Sequence, residues 1–142
     1  MGKKYDEASQ KLNKNIEFMA QNTLTMDWLT RCAELASISS EYTQGIRIIY
    51  SLDLDVSASI LISVHFVVGT NFIARDVCKL PDKSIFTIAE YKQLCEGATE
   101  IIMNRFTELG LCPTLKDLSV LTYGDNSQID CAKAIIRINP LY

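Results

Sequence analysis

The stretch GIRIIYSLDLDVSASILISVHFVVG, from Gly45 to Gly69, is the most strongly patterned part of the chain. Every even-numbered residue from Ile46 to Val68 is apolar, whereas most of the odd-numbered residues are polar or charged. Alternation with a period of two residues is typical of strands that bury one face, and the many β-branched residues favour the same structure. The sequence therefore predicts a β-hairpin here.

A membrane helix is the main alternative for this region, because no Asp, Glu, Lys or Arg occurs from Val56 to Ala74. Several Ser, Thr and Asn residues and His65 interrupt that span, and Asp53 and Asp55 precede it without a basic or aromatic anchor. We therefore expect no contact with a membrane.

The predicted hairpin has one apolar face and one mixed face. A three-residue loop at Asp55–Ser57 pairs Leu54 with Ala58 and aligns the apolar sets of both strands. The same register places Arg47 beside His65, and a cation there lowers the basicity of the imidazole. The mixed face carries the residues that we predict to bind a partner: Arg47, Ile49, Leu61, Ser63, His65 and Val67.

The segments on either side of the hairpin show helical spacing. From about Tyr5 to Ser40 the chain has no Gly or Pro, and its apolar residues predict one long helix, or two if the run from Gln21 to Thr25 breaks it and Thr25 or Asp27 caps the second. The charged stretch from Ala74 to Ser84 is interpreted as a connector. A further helix follows Phe86, with Thr87 and Glu90 forming a capping box, and ends near Gly110.

The C-terminal part alternates again, over residues 118–123 and 132–139, with turn residues between the two runs. This pattern predicts a second hairpin. Together the patterns predict a single α+β domain over residues 1–142: N-terminal helix or helices, β-hairpin, helix, β-hairpin. We expect an antiparallel sheet of about four strands with helices packed mainly on one face.

The segment TEIIMNRFTEL, Thr99–Leu109, resembles the last helix of a cyclin-like repeat in the transcription factor IIB family. The resemblance implies a helix-turn-helix within residues 87–109, with the turn at Gly97 and with Asn104 and Arg105 contacting DNA. The β-pattern ahead of this segment and the formal net charge of −3 argue against membership of that all-helical family, so no nucleic acid is expected as a partner.

Composition and motifs exclude several classes of function. Charges of both signs are spread over both halves of the chain, and the five cysteines form no Cys-x-x-Cys pair. We find no phosphate-binding loop, no nucleophile motif and no zinc or calcium motif, and the chain has a single histidine. We therefore predict no catalytic residues, no metal and no cofactor. An odd number of cysteines without a secretory signal predicts a cytoplasmic protein.

Two main hypotheses for function remain, and a helix-turn-helix DNA-binding module at residues 87–109, as the resemblance implies, is kept as a second alternative. The first is a non-enzymatic protein-binding or assembly subunit that forms homo-oligomers, because Ile49, Leu61 and Val67 would otherwise be exposed on the mixed face. The second is a small-ligand enzyme or sensor that uses polar residues of the same face, among them Arg47, Asp53, Ser63 and His65.

Overall fold

A computed structural model describes residues 2–37, 45–54, 60–69, 71–81, 87–122 and 129–139. Along the chain the elements are α1 (Gly2–Asn22), α2 (Met26–Ser37), β1 (Ile46–Leu54), β2 (Ile60–Val68), β3 (Asn71–Lys79), α3 (Ile88–Glu108), β4 (Cys112–Thr122) and β5 (Ile129–Asn139). The strands form one antiparallel sheet in the order β3-β2-β1-β5-β4. The predicted α+β class is confirmed, with five strands instead of about four.

The N-terminal segment forms two helices, which decides between the alternatives left open by the sequence. The break lies at Thr23–Thr25, inside the predicted run. The backbone N–H groups of Thr23 and Leu24 both donate to the Met19 carbonyl and close α1. The N–H of Trp28 donates to the Thr25 hydroxyl at 3.3 Å, so that Thr25 caps α2.

The β1–β2 register differs by two residues from the predicted one. Leu54 pairs with Ile60 instead of Ala58, and Arg47 pairs with Val67 instead of His65. A shift of two residues leaves every side chain on the same face, so the alternation cannot distinguish the two registers. The predicted loop at Asp55–Ser57, like the turn predicted between β4 and β5, lies outside the described residues.

The interpretation of Ala74–Ser84 as a connector is wrong, because Asn71–Lys79 is the edge strand β3. The alternation of apolar and polar residues in β3 is interrupted by Asp76, a charged residue on the face that the helices cover. The Thr23 hydroxyl donates to the Asp76 carboxylate at 2.8 Å, which satisfies this charge in place of water. Cys78 and Leu80 are buried, as expected for the inward positions of a strand that ends near Pro81.

Helix α3 is continuous from Ile88 to Glu108, as the helical spacing predicts, so the turn at Gly97 that the family resemblance implies does not form. The capping box is present as predicted: Glu90 N–H donates to Thr87 Oγ1 at 3.1 Å, and Thr87 N–H donates to the Glu90 carboxylate at 2.9 Å. Gly97 lies in the middle of the helix against α1. A Cβ there would lie 2.4 Å from Ile16 Cδ1, so the glycine permits the close approach of the two helices.

The C-terminus of α3 has the geometry of a Schellman motif. Leu111 N–H donates to the Phe106 carbonyl at 3.0 Å and Gly110 N–H donates to the Thr107 carbonyl at 3.0 Å. Gly110 has φ of 87°, a left-handed conformation that glycine adopts without strain. The helix therefore ends where the sequence predicts, and β4 begins at Cys112.

The core lies between the helices and the even-numbered side chains of the central strands. Trp28 of α2 packs edge-on against Phe66 of β2, with ring centroids 5.2 Å apart, and Phe66 contacts Phe106 of α3 in the same way at 6.1 Å. The buried residues of the sheet that belong to this cluster are Ile46, Ile48, Tyr50, Ile60, Ile62, Val64, Phe66, Val68, Cys78, Ala132, Ala134, Ile136 and Ile138.

A small polar network joins α3 to β1 inside this core. The hydroxyls of Tyr50 and Thr99 are 2.6 Å apart, and the Tyr91 hydroxyl donates to the Tyr50 carbonyl at 2.7 Å. Burial raises the pKa of both tyrosines far above the ordinary value. These bonds fix the rotation of α3 over the sheet, because hydroxyls buried at this depth are costly unless they are paired.

Candidate functional site

The odd-numbered side chains of β1, β2 and β5, those of β3 from Arg75 to Lys79 and those of β4 from Asp117 to Leu121 share the face of the sheet opposite the core, here called the open face. In β2 the alternation is complete: all five even-numbered residues are buried and the four odd-numbered ones are half-buried. The described helices contribute their buried side chains to the core on the other face. The sheet therefore has helices on one side only among the residues described.

All six predicted binding residues lie on the open face and are half-buried: Arg47, Ile49, Leu61, Ser63, His65 and Val67. Their neighbours differ from the predicted ones because of the two-residue shift. His65 lies opposite Ile49 on one side and Arg75 on the other. Ser63 lies opposite Ser51, and its hydroxyl donates to the Ser51 carbonyl at 3.5 Å.

Strands β3 and β5 bring further residues to this face that the sequence reasoning did not include. Ile135 pairs with Arg47 and Lys133 pairs with Ile49 across the β1–β5 ladder. Val77, at 41% exposure, pairs with Ser63 across the β2–β3 ladder. The alternation of Lys133 and Ile135 with buried alanines was visible in the sequence, but their position beside β1 depends on a pairing between segments far apart in the chain.

The open face is basic although the chain is acidic. Among the residues whose side chains the structure describes, its cations are Arg47, Arg75, Lys79, Lys133 and Arg137, and its acidic side chains are Asp53 and Asp117. The whole chain has 14 Lys and Arg against 17 Asp and Glu. Among the side chains that the structure describes on this face, five cations therefore stand against two carboxylates.

Arg47 and His65 both interact with neighbouring groups on the open face. The Arg47 guanidinium donates to the carbonyl of Gly69, in the turn after β2, and so connects β1 to the end of the neighbouring strand. Partial burial, and next the charge of Arg75, lower the pKa of His65. The predicted direction for His65 is thus correct, but the neighbouring cation is Arg75 on β3.

The residues required by a small-ligand site are spread along the strands instead of converging. Arg47 and Asp53 lie at opposite ends of β1, about 20 Å apart for six residues of extended chain. His65 and Ser63 lie between these ends on β2. Within the described ranges, no three His, Cys, Asp or Glu side chains are grouped closely enough to hold a metal ion.

The residues assigned to DNA contact also have other positions than expected. Arg105 donates to the carbonyl of Ala20 at 2.9 Å and to that of Leu24, and so caps the C-terminal end of α1. Asn104 is exposed on the same continuous helix. Arg105 thus holds the corner between α1 and α2, and residues 88–108 lack the turn that a helix-turn-helix requires.

Three of the cysteines behave as apolar core residues. Cys32, Cys78 and Cys95 are buried free thiols. Burial raises the pKa of Cys32 to about 12 and that of Cys78 to about 11, with a smaller contribution from the Asp76 carboxylate in both cases. Thiols with such pKa values remain protonated and are poor nucleophiles at neutral pH.

Comparisons with known proteins identify no relative. No protein-family model matches the chain, and neither the curated proteins nor the solved structures include a significant match. In the described part of the chain, no helix combines the length and the apolar character needed to cross a membrane, and the span from Val56 to Ala74 contributes to β2 and β3.

Proposed function

We propose that this protein is a non-enzymatic binding and assembly subunit that self-associates through the open face of its sheet. One observation carries the proposal: a five-stranded sheet has helices on one side, while Ile49, Leu61, Val67 and Ile135 lie half-buried on the other. A sheet with apolar residues on both faces is most stable when both are covered. The proposal places the protein in the cytoplasm, where its buried thiols stay reduced.

The size of the face supports this proposal. Five strands about 4.8 Å apart, each about nine residues long at about 3.3 Å per residue, present roughly 700 Å². A stable interface buries about 800 Å² on each partner. The face combines apolar side chains on its central strands, such as Ile49 and Ile135, with cations both on those strands, at Arg47 and Lys133, and towards its edges, at Arg75, Lys79 and Arg137.

Sedimentation velocity over a range of concentrations, with the variant Ile49→Glu, tests the proposal. We expect the unmodified protein to form dimers and Ile49→Glu to remain monomeric, because the variant places a carboxylate at a half-buried position at the centre of the face. Leu35→Glu is the matched control, since Leu35 is 40% exposed on α2, on the helical side. A protein that stays monomeric at all concentrations, or a Leu35→Glu variant that dissociates equally, would contradict the proposal.

A further inference from the structure

The open face carries charges of opposite sign at the two ends of its central strand β1. On β1, Arg47 lies at one end and Asp53 at the other, on the same side of the sheet. On β2, Val67 pairs with Arg47 and Leu61 pairs with Asp53, so an apolar residue accompanies each charge. Ile49 and Ser51 lie between the two ends. These residues of β1 and β2 are therefore complementary to the same residues of a second copy whose strands run in reverse.

We propose, as an extension of the self-association proposed above, that two copies pack with their open faces together around a two-fold axis that crosses the strands between Ile49 and Ser51. This axis reverses the strand direction of one copy relative to the other. Arg47 of one copy then lies opposite Asp53 of the partner subunit, and Val67 lies opposite Leu61 of the partner subunit. Because the interface is isologous, each of these contacts occurs twice.

The charges select this axis over the alternative that runs parallel to the strands. A parallel axis that runs along β1, the central strand of the sheet, would place Arg47 opposite Arg47 of the partner subunit and Asp53 opposite Asp53 of the partner subunit. Like charges that face each other at an interface are unfavourable, and here there would be no counter-charge between them. The crossing axis replaces both repulsions with attractive pairs.

The outlying cations are compatible with the crossing axis. On β3, Arg75 pairs with His65, and Val77, two residues further along, pairs with Ser63. Reversal of the strands therefore places Arg75 opposite Val77 of the partner subunit. Lys133 in the same way lies opposite Cys131 of the partner subunit. The arrangement therefore brings no two of these cations into direct opposition, and their long side chains can reach water at the edges.

The variant Asp53→Asn distinguishes the two axes by the sign of its effect on the dimer dissociation constant. If Asp53 faces Arg47 of the partner subunit, its neutralisation weakens the dimer, by about three-fold or more. If Asp53 faces its own copy, neutralisation removes a repulsion and strengthens the dimer. Asp117→Asn is the matched control, because Asp117 is an exposed carboxylate on the same face but on the edge strand β4.

Charge reversal completes the test. Asp53→Arg should raise the dissociation constant by about ten-fold or more, and the exchange Arg47→Asp with Asp53→Arg should bring it back to within about three-fold of the unmodified value. A dimer that is unchanged or strengthened by Asp53→Asn, or weakened no more than by Asp117→Asn, overturns the proposed axis and leaves self-association intact. Absence of any dimer in the unmodified protein overturns the proposed function itself. Asp53 is exposed, so the Asp53 variants test the axis even if the exchanged pair does not fold.

Discussion

The two faces of the β1–β2 hairpin are formed by the same strands but differ in burial and in polarity. On the covered face Ile48, Tyr50 and Val64 are fully buried beneath the helices. On the open face, one residue away in sequence, Ile49 and His65 are half-buried and are flanked by the cations Lys133 and Arg75. The difference shows that the many β-branched residues indicate only that these segments form strands. The polar or apolar character of the residues at alternate positions indicates which face of the sheet is covered.

The comparison is tested most severely by Val64→Asp. Val64 has no exposed surface, so the variant buries a carboxylate without a partner among apolar side chains. We expect a loss of several kcal/mol, enough to unfold a domain whose total stability is about 5 to 15 kcal/mol. Circular dichroism and urea denaturation measure this directly. A folded Val64→Asp protein with near-normal stability would mean that the covered face is open to water.

A second, smaller effect concerns the polar network under α3. Thr99→Val removes the hydrogen-bond partner of the Tyr50 hydroxyl but preserves the volume of the side chain. The unpaired hydroxyl remains buried, so we expect a loss of about 1 to 3 kcal/mol in the free energy of unfolding by urea. The variant Thr99→Ser keeps a hydroxyl at this position and should lose less. A loss for Thr99→Ser that equals or exceeds that for Thr99→Val would show that the methyl group of Thr99 contributes at least as much as its hydroxyl.

The same network predicts how stability depends on alkaline pH. The pKa values of Tyr50 and Tyr91 are raised in the folded protein, while in the unfolded chain both tyrosines ionise near the ordinary value of 10.0. The folded state thus holds these protons more tightly, and its stability is intact below that pH and declines above it. Urea unfolding at pH values on either side of 10 should show this decline. Tyr91→Phe removes one of the two groups and should make the decline shallower.

The alternation of residues along each strand predicted on which face each side chain lies. It could not predict the register, which depends on pairing between strands. The positions of Val64 and His65 on opposite faces follow from a period of two residues, which no register shift of two can change. The register itself, with Arg47 opposite Val67, depends on where the strands turn. Strand β3 escaped prediction because the inward position Asp76 is charged, and only the folded chain places the Thr23 hydroxyl beside it.

The candidate surface was predicted in part for the same reason. The six residues of the hairpin needed only the alternation, whereas Lys133, Ile135 and Arg75 join the surface through the neighbouring strands β5 and β3. The basic character of the open face was therefore not visible in a chain whose charges are spread evenly along its sequence. The break between α1 and α2 was anticipated as an alternative because Thr25 is a favourable N-cap residue.

The smallest expected effect is that of His65→Ala, the open-face counterpart of Val64→Asp. At concentrations where the protein is monomeric, we expect a change in the free energy of unfolding within about 0.5 kcal/mol, as for most substitutions of partly exposed residues.

The pKa of His65 is lowered in the folded state, so its contribution to stability is present above the ordinary value of 6.5 and declines as the pH falls below that value. His65 is the only histidine, and its ring signals give an unambiguous NMR titration. Because the Arg75 cation contributes to the lowering, Arg75→Ala should move the pKa of His65 back towards 6.5, whereas Lys92→Ala, on the helical side, should leave it unchanged. A pKa for His65 at or above 6.5 in the unmodified protein would mean that carboxylates, and not Arg75, dominate its surroundings, and the open face would then lack the basic character described here.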